Sequence, residues 1–476
     1  MPSAPEDVIN ADIEKANAKK TSTIHTAYHI LKNLNAIDQA NILELYHTPS
    51  LQKIKLENSR VIDPEGIPYQ CSLHRVKTQF YLVVSQKNSS KQDRSNPSGV
   101  CGHVKLLAPV HFCLSATGEP ALFIKGSSWN ILKISDKAHC FHPDTGQYLF
   151  ANQGILQRLF EEDLLTDGTI ATRNQALTWT RINPVRKHYV LQKLALGIEF
   201  LDVLMANDKD PLNRLTQLQI AYSSVVALDN DFHQKGLRHG DVKPENIMIH
   251  YWDRYGYVYY ELAYIDTDFT LPIGSIVDEP RGDPLYADPD ACQLNYQTDV
   301  SSDYYALGII LLSFFFPAAY FSHGLHNPVN VDTLRQSINV LRDFLQDRKL
   351  RVTNLLNELL APASRLSKPG KQVVYLIAIM CKIKLPGLNY YFGTPLKNLI
   401  LPKLEQLITQ LGSSVPPQRP KLDATALGAY DFTVSLPGKL QALPVGTSSS
   451  IPAGLQQEKK PLPPPPPRPS SCCTLL

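Results

Sequence analysis

The residues of this chain that are best suited to carry out a reaction lie in the stretch His239–Asn246, whose sequence is HGDVKPEN. A carboxylate at Asp241, an ammonium at Lys243 and an amide at Asn246 fall within six residues. A carboxylate can accept a proton from an attacking hydroxyl, an ammonium can neutralise a phosphate, and an amide oxygen can help to hold a metal ion. The spacing favours transfer of a phosphoryl group. A rigid polar turn after a helix is the alternative interpretation.

This stretch resembles the catalytic loop of eukaryotic-type protein kinases, His-Arg-Asp-Leu-Lys-Pro-Glu-Asn. The resemblance implies that Asp241 orients the attacking hydroxyl and accepts its proton, and that Lys243 neutralises the transferring phosphate. It also implies that Asn246 is a ligand of Mg²⁺. Gly240 stands where the family has the Arg that reads a phosphorylated activation loop. We therefore expect activity without an activating phosphorylation.

Two upstream segments resemble the nucleotide-binding strands of the same family. Gly99, Gly102 and Val104 match the second half of the kinase glycine-rich loop, although any tight hairpin would look alike. Glycines there would let backbone amides close over phosphates. Lys125 ends an apolar strand that resembles the Val-Ala-Ile-Lys strand, so it would bridge two phosphates of ATP. A solvated strand end is the alternative for Lys125.

The resemblance also places a helix and a hinge between these strands and the loop. A helix is predicted over residues 148–165, in which Glu161 or Glu162 could reach the strand lysine, and Glu161 is favoured. The local pattern around Ile155 places Asn152 or Gln153 at that position instead, and a solvated helix end is the alternative for the glutamate. Residues 189–201 resemble the hinge between kinase lobes. Backbone groups from Gln192 to Leu194 would bind the adenine edge.

Two registers compete for the metal-binding Asp that kinases place after the next hairpin. Asp268 matches the family's Asp-Phe-Gly by letters, with Thr in place of Gly. Asp266 fits better by strand alternation, because Leu262 and Tyr264 would point into the core. The sequence favours Asp266. Either carboxylate would share an octahedral Mg²⁺ ion with Asn246.

Two downstream matches complete the resemblance. Residues 282–290 resemble the Gly-Thr-Pro-x-Tyr-x-Ala-Pro-Glu end of a kinase activation segment. Residues 303–311 resemble Asp-Val-Trp-Ser-Leu-Gly-Val-Ile-Leu, so that Asp303 would cap the backbone of the catalytic loop. The family fold is α+β and bilobal, with a β-rich small lobe, a helical large lobe, and ATP and Mg²⁺ in the cleft.

The predicted organisation has four parts. An N-terminal helical and extended extension covers residues 1–79, the small lobe 80–192, the large lobe 193–412, and a mostly disordered Pro-rich tail 413–476. Four finer expectations concern single elements. Helical spacing is predicted up to about residue 48, an amphipathic helix over 215–235, a buried helix rather than a membrane span over 304–321, and a short docked strand over 430–436.

The composition of the chain limits the kinds of partner and compartment that we expect. Lys plus Arg number 47 against 44 Asp plus Glu, so the chain gives no case for nucleic acid. The eight cysteines are scattered without zinc spacing, and no secretory signal is visible at the start, which favours a reducing compartment. Pro461–Pro469 favours polyproline II and fits either an SH3-type groove or a spacer.

The last four residues begin at Cys473 and fit the prenylation pattern Cys-a-a-X, and Cys472 could carry a second lipid. The expected function is therefore an ATP- and Mg²⁺-dependent Ser/Thr protein kinase, tethered to the cytosolic face of a membrane and acting on a protein substrate. The divergence and the lipidation pattern resemble secreted effector kinases of intracellular bacteria, which implies a host cell membrane. Two alternatives stay open: a pseudokinase scaffold, and a kinase-fold enzyme that modifies a small molecule or lipid, or transfers another part of the nucleotide.

Overall fold

The computed structural model describes residues 4–56, 61–62, 68–76, 79–86, 102–115, 119–135, 188–193, 195–254, 257–267, 269–277, 282–292, 296–326, 334, 337–386, 388, 395–413 and 431–436. They form an α+β structure of antiparallel sheets and helices. The α-helices used below are α1 (Pro5–Lys32), α2 (Ala36–His47), α3 (Phe200–Lys209), α4 (Arg214–Asp231), α5 (Ser301–Phe315), α6 (Pro317–Ser322), α7 (Ile338–Leu360), α8 (Lys368–Met380) and α9 (Leu396–Gln410).

The strands follow the same chain order. They are β1 (Lys53–Lys55), β2 (Val61–Ile62), β3 (Pro68–Val76), β4 (Gln79–Gln86), β5 (Gly102–Leu114), β6 (Pro120–Ile124), β7 (Asn130–Ser135), β8 (His188–Lys193), β9 (Ile198–Glu199), β10 (Leu237–Arg238), β11 (Ile247–Arg254), β12 (Tyr257–Tyr264), β13 (Leu271–Pro272), β14 (Ile276–Val277), β15 (Tyr296–Gln297) and β16 (Phe432–Ser435).

The N-terminal region is helical, as the sequence predicts. Helix α1 has Pro5 in its first turn, acidic Glu6 and Asp7 beside it, and Lys32 in its last turn, all of which suit the helix dipole. The side chain of Asn35 accepts a hydrogen bond from the backbone of Asp38 and caps α2.

The largest sheet has nine strands, in the order β1-β3-β4-β5-β6-β16, with β2, β7 and β8 attached to that path. The structure differs from the predicted boundary at residue 79, because β3 and β4 form one hairpin in which Cys71 pairs with Val84 and Leu73 with Leu82. Cys71 and Leu73 are buried. Their strand belongs to the sheet because its apolar face must be covered.

The C-terminal strand β16 closes one edge of this sheet. It pairs with β6 in the register Phe432↔Ile124 to Ser435↔Ala121, so the predicted docking of residues 430–436 is confirmed. The ring of Phe432 stacks on Tyr28 of α1, with ring centroids 4.3 Å apart. The carboxylate of Asp431 accepts a hydrogen bond of 2.9 Å from the backbone N–H of Gly126.

The long apolar run is a buried helix, as predicted. Helix α5 is buried at almost every position, and Pro317 begins the separate helix α6. A proline is tolerated at that place because the first helical N–H has no partner within the helix. Among the described helices, none combines the length and the apolar character needed to cross a bilayer.

Helix α4 differs from the predicted amphipathic pattern. It ends at Asp231 rather than 235, and residues around its whole circumference are buried, including Gln217 and Gln219. The reason is that α4 packs against strand β12 and helix α9. Gln217 is satisfied inside by hydrogen bonds to the side chain of Asn207 and the carbonyl of Phe314.

Two large clusters of buried apolar side chains, and a small third one around Leu341, hold the described residues together. The sheet core lies between the nine-stranded sheet and helices α1 and α2, and the helical core joins helices α3, α4, α5, α7, α8 and α9 with strands β11 and β12. Helix α1 contributes to both, with Ile9 and Ile13 in the helical core and Ile24 and Tyr28 in the sheet core.

Candidate active site

The backbone of the loop at residues 239–246 is held from helix α5. One carboxylate oxygen of Asp303 accepts from the N–H of His239 at 2.7 Å, and the other accepts from the N–H of Gly240 at 2.9 Å. Asp303 is only 2% exposed. A buried carboxylate that accepts two backbone N–H groups is an effective cap for the loop.

His233 is the third donor to this carboxylate. Its Nε2 lies 3.1 Å from Oδ2 of Asp303. Burial by itself would raise the pKa of Asp303, but the hydrogen bond and charge of His233 and the charge of the nearby Arg238 outweigh it and hold that pKa below its ordinary value. Asp303 is therefore ionised over the whole physiological range.

Gly240 meets a backbone constraint at this point. Its φ is +82°, and a Cβ atom added there would lie 2.5 Å from the carbonyl oxygen of Phe269. An arginine, which the kinase family has at this position, would force the loop and Phe269 apart. The departure from the family pattern thus has a local physical reason.

The carboxylate of Asp241 is buried and surrounded by donors. Oδ1 accepts from the backbone N–H of Asp283 at 2.8 Å, and Oδ2 accepts from the side-chain amide of Asn246 at 3.0 Å. The ammonium of Lys243 lies 3.4 Å from Oδ2. Each carboxylate oxygen offers two lone pairs, so Oδ1 retains capacity for one further donor, such as a hydroxyl group.

Lys243 carries its charge among several carboxylates. Burial would lower its pKa, but Asp241, Asp283 and Glu245 together raise the pKa of this ammonium above its ordinary value. The lysine is therefore cationic at neutral pH and, with its side chain 25% exposed, accessible to a ligand.

His239 joins the loop to the end of strand β12. Its Nδ1 accepts from the N–H of Asp241 at 3.2 Å, and its Nε2 lies 2.9 Å from the carbonyl of Ile265. These two contacts require the neutral tautomer with the proton on Nε2. Ile265 also donates its N–H to the carbonyl of Asn246 at 2.8 Å, so the residue before Asp266 is fixed twice.

Asp266 has a strained backbone. Its φ is +58°, a left-handed conformation that non-glycine residues adopt at a cost of about 1–2 kcal/mol. Such strain persists where surrounding contacts impose it, and it is concentrated at functional sites. The competing Asp268 lies outside the described residues.

The donor set beside the loop suits a hard cation. Because Asn246 points its NH₂ at the carbonyl and carboxylate of Asp241, its amide oxygen is the atom left to bind a ligand. Asp266 adds a carboxylate, and it directly follows Ile265, whose backbone N–H donates to the carbonyl of Asn246. Two oxygen donors of this kind fit Mg²⁺, which takes the rest of its shell from water and phosphate. Within the described ranges no group of three or more His, Cys, Asp or Glu residues forms a metal site.

The segment that resembles the end of an activation segment packs directly on the loop. Gly282 has a φ of +86°, and a Cβ atom there would lie 2.7 Å from the carbonyl oxygen of Gly240. The segment is fixed further along by Asp288, whose carboxylate pairs with the ammonium of Lys382 at 3.0 Å. Glycine at 282 is therefore what lets Asp283 reach Asp241.

Three of the predicted nucleotide-binding residues, Gly102, Val104 and Gln192, lie in strands of the large sheet. Gly102 is the first residue of β5 and pairs with Ser135, and Val104 is in the same strand, so these two positions are strand rather than loop. Gln192 lies in β8 and pairs with Ile131. The positions that lie outside the described residues are Gly99, Glu161, Leu194, Cys472 and Cys473, together with Pro461–Pro469 and the helix predicted over 148–165.

Lys125 follows the last residue of β6 and is exposed. Its carbonyl accepts hydrogen bonds from the N–H and the hydroxyl of Ser128. Within the described part of the chain no carboxylate forms an ion pair with its ammonium. The structure therefore brings together Asp241, Lys243, Asn246 and Asp303, and leaves Lys125 on the sheet.

Sequence reasoning did not assign roles to Asp283 and His233. Asp283 occupies the place of Thr in the family string, and the substitution itself was the signal that a charged group lies beside Asp241. His233 stands six residues before His239 with no motif of its own. Its contact with Asp303 spans 70 residues and could not be read from spacing.

Comparisons with known proteins add little to this geometry. No family description matches the chain, and no curated protein matches it. One solved structure, titled "Structure of vaccinia related kinase 3", is similar to 79% of this chain and to 97% of its own chain, with 14% sequence identity and a TM-score of 0.35. A likeness at that level carries no argument about function, so the assignment depends on the residues.

Proposed function

We propose that the chain is an ATP- and Mg²⁺-dependent protein kinase of Ser and Thr side chains, with a protein-kinase-like fold. The observation that carries the proposal is the arrangement of Asp241. Its carboxylate is buried and is held by Asn246, Lys243 and the backbone of Asp283. The backbone of the loop that carries Asp241 donates to the carboxylate of Asp303.

In this proposal Asp241 orients the acceptor hydroxyl through the remaining capacity of Oδ1 and takes up its proton. Lys243 offsets the charge that develops on the transferring phosphate. Asn246 and Asp266 would hold Mg²⁺, and the strained backbone of Asp266 favours it over Asp268. The metal ion, when bound, neutralises the phosphate oxygens of ATP. Lys125, with the glycines near residue 100, is proposed as the phosphate-binding part.

The test is incorporation of γ-labelled phosphate in the presence of Mg²⁺, with generic proteins and the chain itself as acceptors. Changing Asp241 to Ala should lower the rate by at least about 100-fold, because the positioned base is lost. Asp208→Ala, at an exposed position of α3, is the matched control. A rate that survives Asp241→Ala contradicts the proposal, and labelling of small acceptors alone favours the small-molecule alternative.

A second candidate, a pseudokinase scaffold, draws on one observation. Lys125 is exposed at the end of β6, whereas an active site of this class needs a lysine that faces the bound nucleotide. Nucleotide-independent binding of a protein partner, unchanged by Asp241→Ala, would favour the scaffold.

We also propose that Cys473 and Cys472 carry lipids and that the chain acts at the cytosolic face of a membrane, which would be a host membrane if the chain is a bacterial effector. Two lipid chains are needed for stable attachment. The mass of the chain purified from eukaryotic cells, compared with that of Cys473→Ser, tests this.

A further inference from the structure

Helix α1 follows the helical core along one side through polar contacts. Its residues at intervals of three or four positions share a face of the helix. Each accepts a hydrogen bond from a more distant residue: Glu6 from Asn213, Asn10 from Tyr260, and Glu14 from Tyr251. The next residues on this face, Asn17 and Lys20, lie at the segment that connects strand β8 to helix α3.

Asn17 and Lys20 satisfy the backbone of that connecting segment. The side-chain oxygen of Asn17 accepts from the N–H of Gly197 at 2.7 Å. The ammonium of Lys20 donates to the carbonyl of Ala195 at 2.8 Å and to that of Gly197 at 3.1 Å. The NH₂ of Asn17 donates to Nδ1 of His250 at 3.1 Å. Helix α1 thus holds both ends of the segment 195–197.

The charges at this contact support a fixed arrangement. Burial lowers the pKa of Lys20 to about 8, against the opposing effect of Glu199. Burial and the charge of Lys20 lower the pKa of His250 to about 4, so its ring is neutral and Nδ1 is an acceptor. The protonation states of Lys20 and His250 at neutral pH are consistent with the hydrogen bond that Asn17 donates to His250.

The connecting segment is also pressed against strand β11. Gly197 has a φ of +89°, and a Cβ atom there would lie 1.7 Å from the carbonyl oxygen of Ile249. Ile198 pairs with Ile249 in the adjoining strands β9 and β11. With β11 and α1 both in contact, the backbone at 195–197 has little freedom to shift.

We propose that Asn17 and Lys20 are positioning residues for nucleotide binding: they fix the backbone that follows β8, so that its peptide groups meet an adenine ring in one orientation. The inference rests on the proposed function, and on the expectation from the kinase resemblance that backbone groups at this connection bind the adenine edge of ATP. A backbone segment that is already ordered binds its ligand more tightly, because binding then carries no entropic cost of ordering the segment.

The test measures binding of ADP with Mg²⁺ to the full chain by titration calorimetry. Lys20→Met should weaken binding about 10-fold, equivalent to about 1.4 kcal/mol, and raise KM for ATP by the same factor. The value of kcat should change less than about twofold, since no group that contacts the transferring phosphate is altered. Lys15→Met, an exposed position on the same helix, is the matched control and should leave binding unchanged.

A second readout keeps the inference falsifiable if Lys20→Met fails to fold. Asn17→Ser removes the acceptor of the Gly197 N–H, so hydrogen exchange at that amide should become faster while nucleotide binding weakens. Unchanged binding in both folded variants overturns the inference alone. If the unaltered chain binds no nucleotide, the proposed function fails and takes the inference with it.

Discussion

The residues of the proposed site that lie beside the helical core make many hydrogen bonds, and those that lie on the sheet make few among the described residues. On the helical core, each oxygen of Asp241 and of Asp303 accepts from a named donor at 2.7–3.0 Å. On the sheet, Lys125 is exposed and Gly102 lies within strand pairing. Among the described residues, the difference teaches that the hydrogen bonds which fix the proposed site are concentrated around the loop at residues 239–246.

The largest effect is expected where the helical core meets the loop. Asp303→Ala leaves the amides of His239 and Gly240 without an acceptor, and should lower the free energy of unfolding by about 3–5 kcal/mol. Urea denaturation measures this. Asp208→Ala, on the exposed side of α3, should change it by less than about 0.5 kcal/mol. Equal effects of the two substitutions would mean that the loop does not depend on Asp303.

A comparable loss is expected in the sheet core at strand β16. Phe432 is 3% exposed and stacks on Tyr28, so Phe432→Ala should cost about 3 kcal/mol. Hydrogen exchange should become faster in β6 and remain slow in α5, which would show that the two cores respond separately. Thr433→Ala, at an exposed position of the same strand, is the control. Uniform acceleration in both cores would remove the distinction.

A smaller effect on stability is expected at Asp266, where one substitution should change stability and activity in opposite directions. Asp266→Gly removes the left-handed strain and should stabilise the chain by about 1 kcal/mol. It should also lower Mg²⁺-dependent phosphoryl transfer at least about 100-fold, because the proposed metal ligand is lost. Thermal unfolding and the phosphate assay measure the two quantities side by side. A variant that stays active would direct attention to Asp268.

The smallest effect is a pH dependence at the contact between α1 and the connecting segment. Lys20 has an ordinary pKa of 10.5, which falls to about 8 in the folded chain, so the unfolded state binds more protons between these values. Stability should therefore rise with pH from about 8 to 10.5 relative to Lys20→Met. Lys15→Met should follow the unaltered chain. Parallel curves for Lys20→Met and the unaltered chain would contradict the burial of this ammonium.

The proximity of Asp241, Lys243 and Asn246 could be predicted from the sequence because these residues are close together in the chain. The side-chain amide of Asn246 donates to the carboxylate of Asp241 only five residues away, so the conformation of the loop alone sets the distance between them. The strand β16 was predicted as a short docked segment over residues 430–436, but its partner β6 was not. Strands β3 and β4 pair across the predicted boundary at residue 79, and the turn residues before β3 did not reveal that pairing. The contact of Lys20 with Gly197 spans 177 residues, and no periodicity encodes it.

The place of Lys125 could not be judged from its strand alone. An apolar strand that ends in lysine looks the same whether the ammonium turns toward a nucleotide or toward solvent. Which one occurs depends on the neighbours of β6, and one of them is a strand about 300 residues later in the chain.

The pairing of β6 with β16 also has a consequence for synthesis. Strand β6 leaves the ribosome early, but the strand that covers its edge is made about 300 residues later, roughly 15–60 s at ordinary rates of translation. During that interval the nascent sheet presents an unpaired edge and Tyr28 lacks its stacking partner. The order of synthesis therefore makes the completed sheet one of the last events in folding, and a chain that stops before residue 431 would keep the open edge permanently.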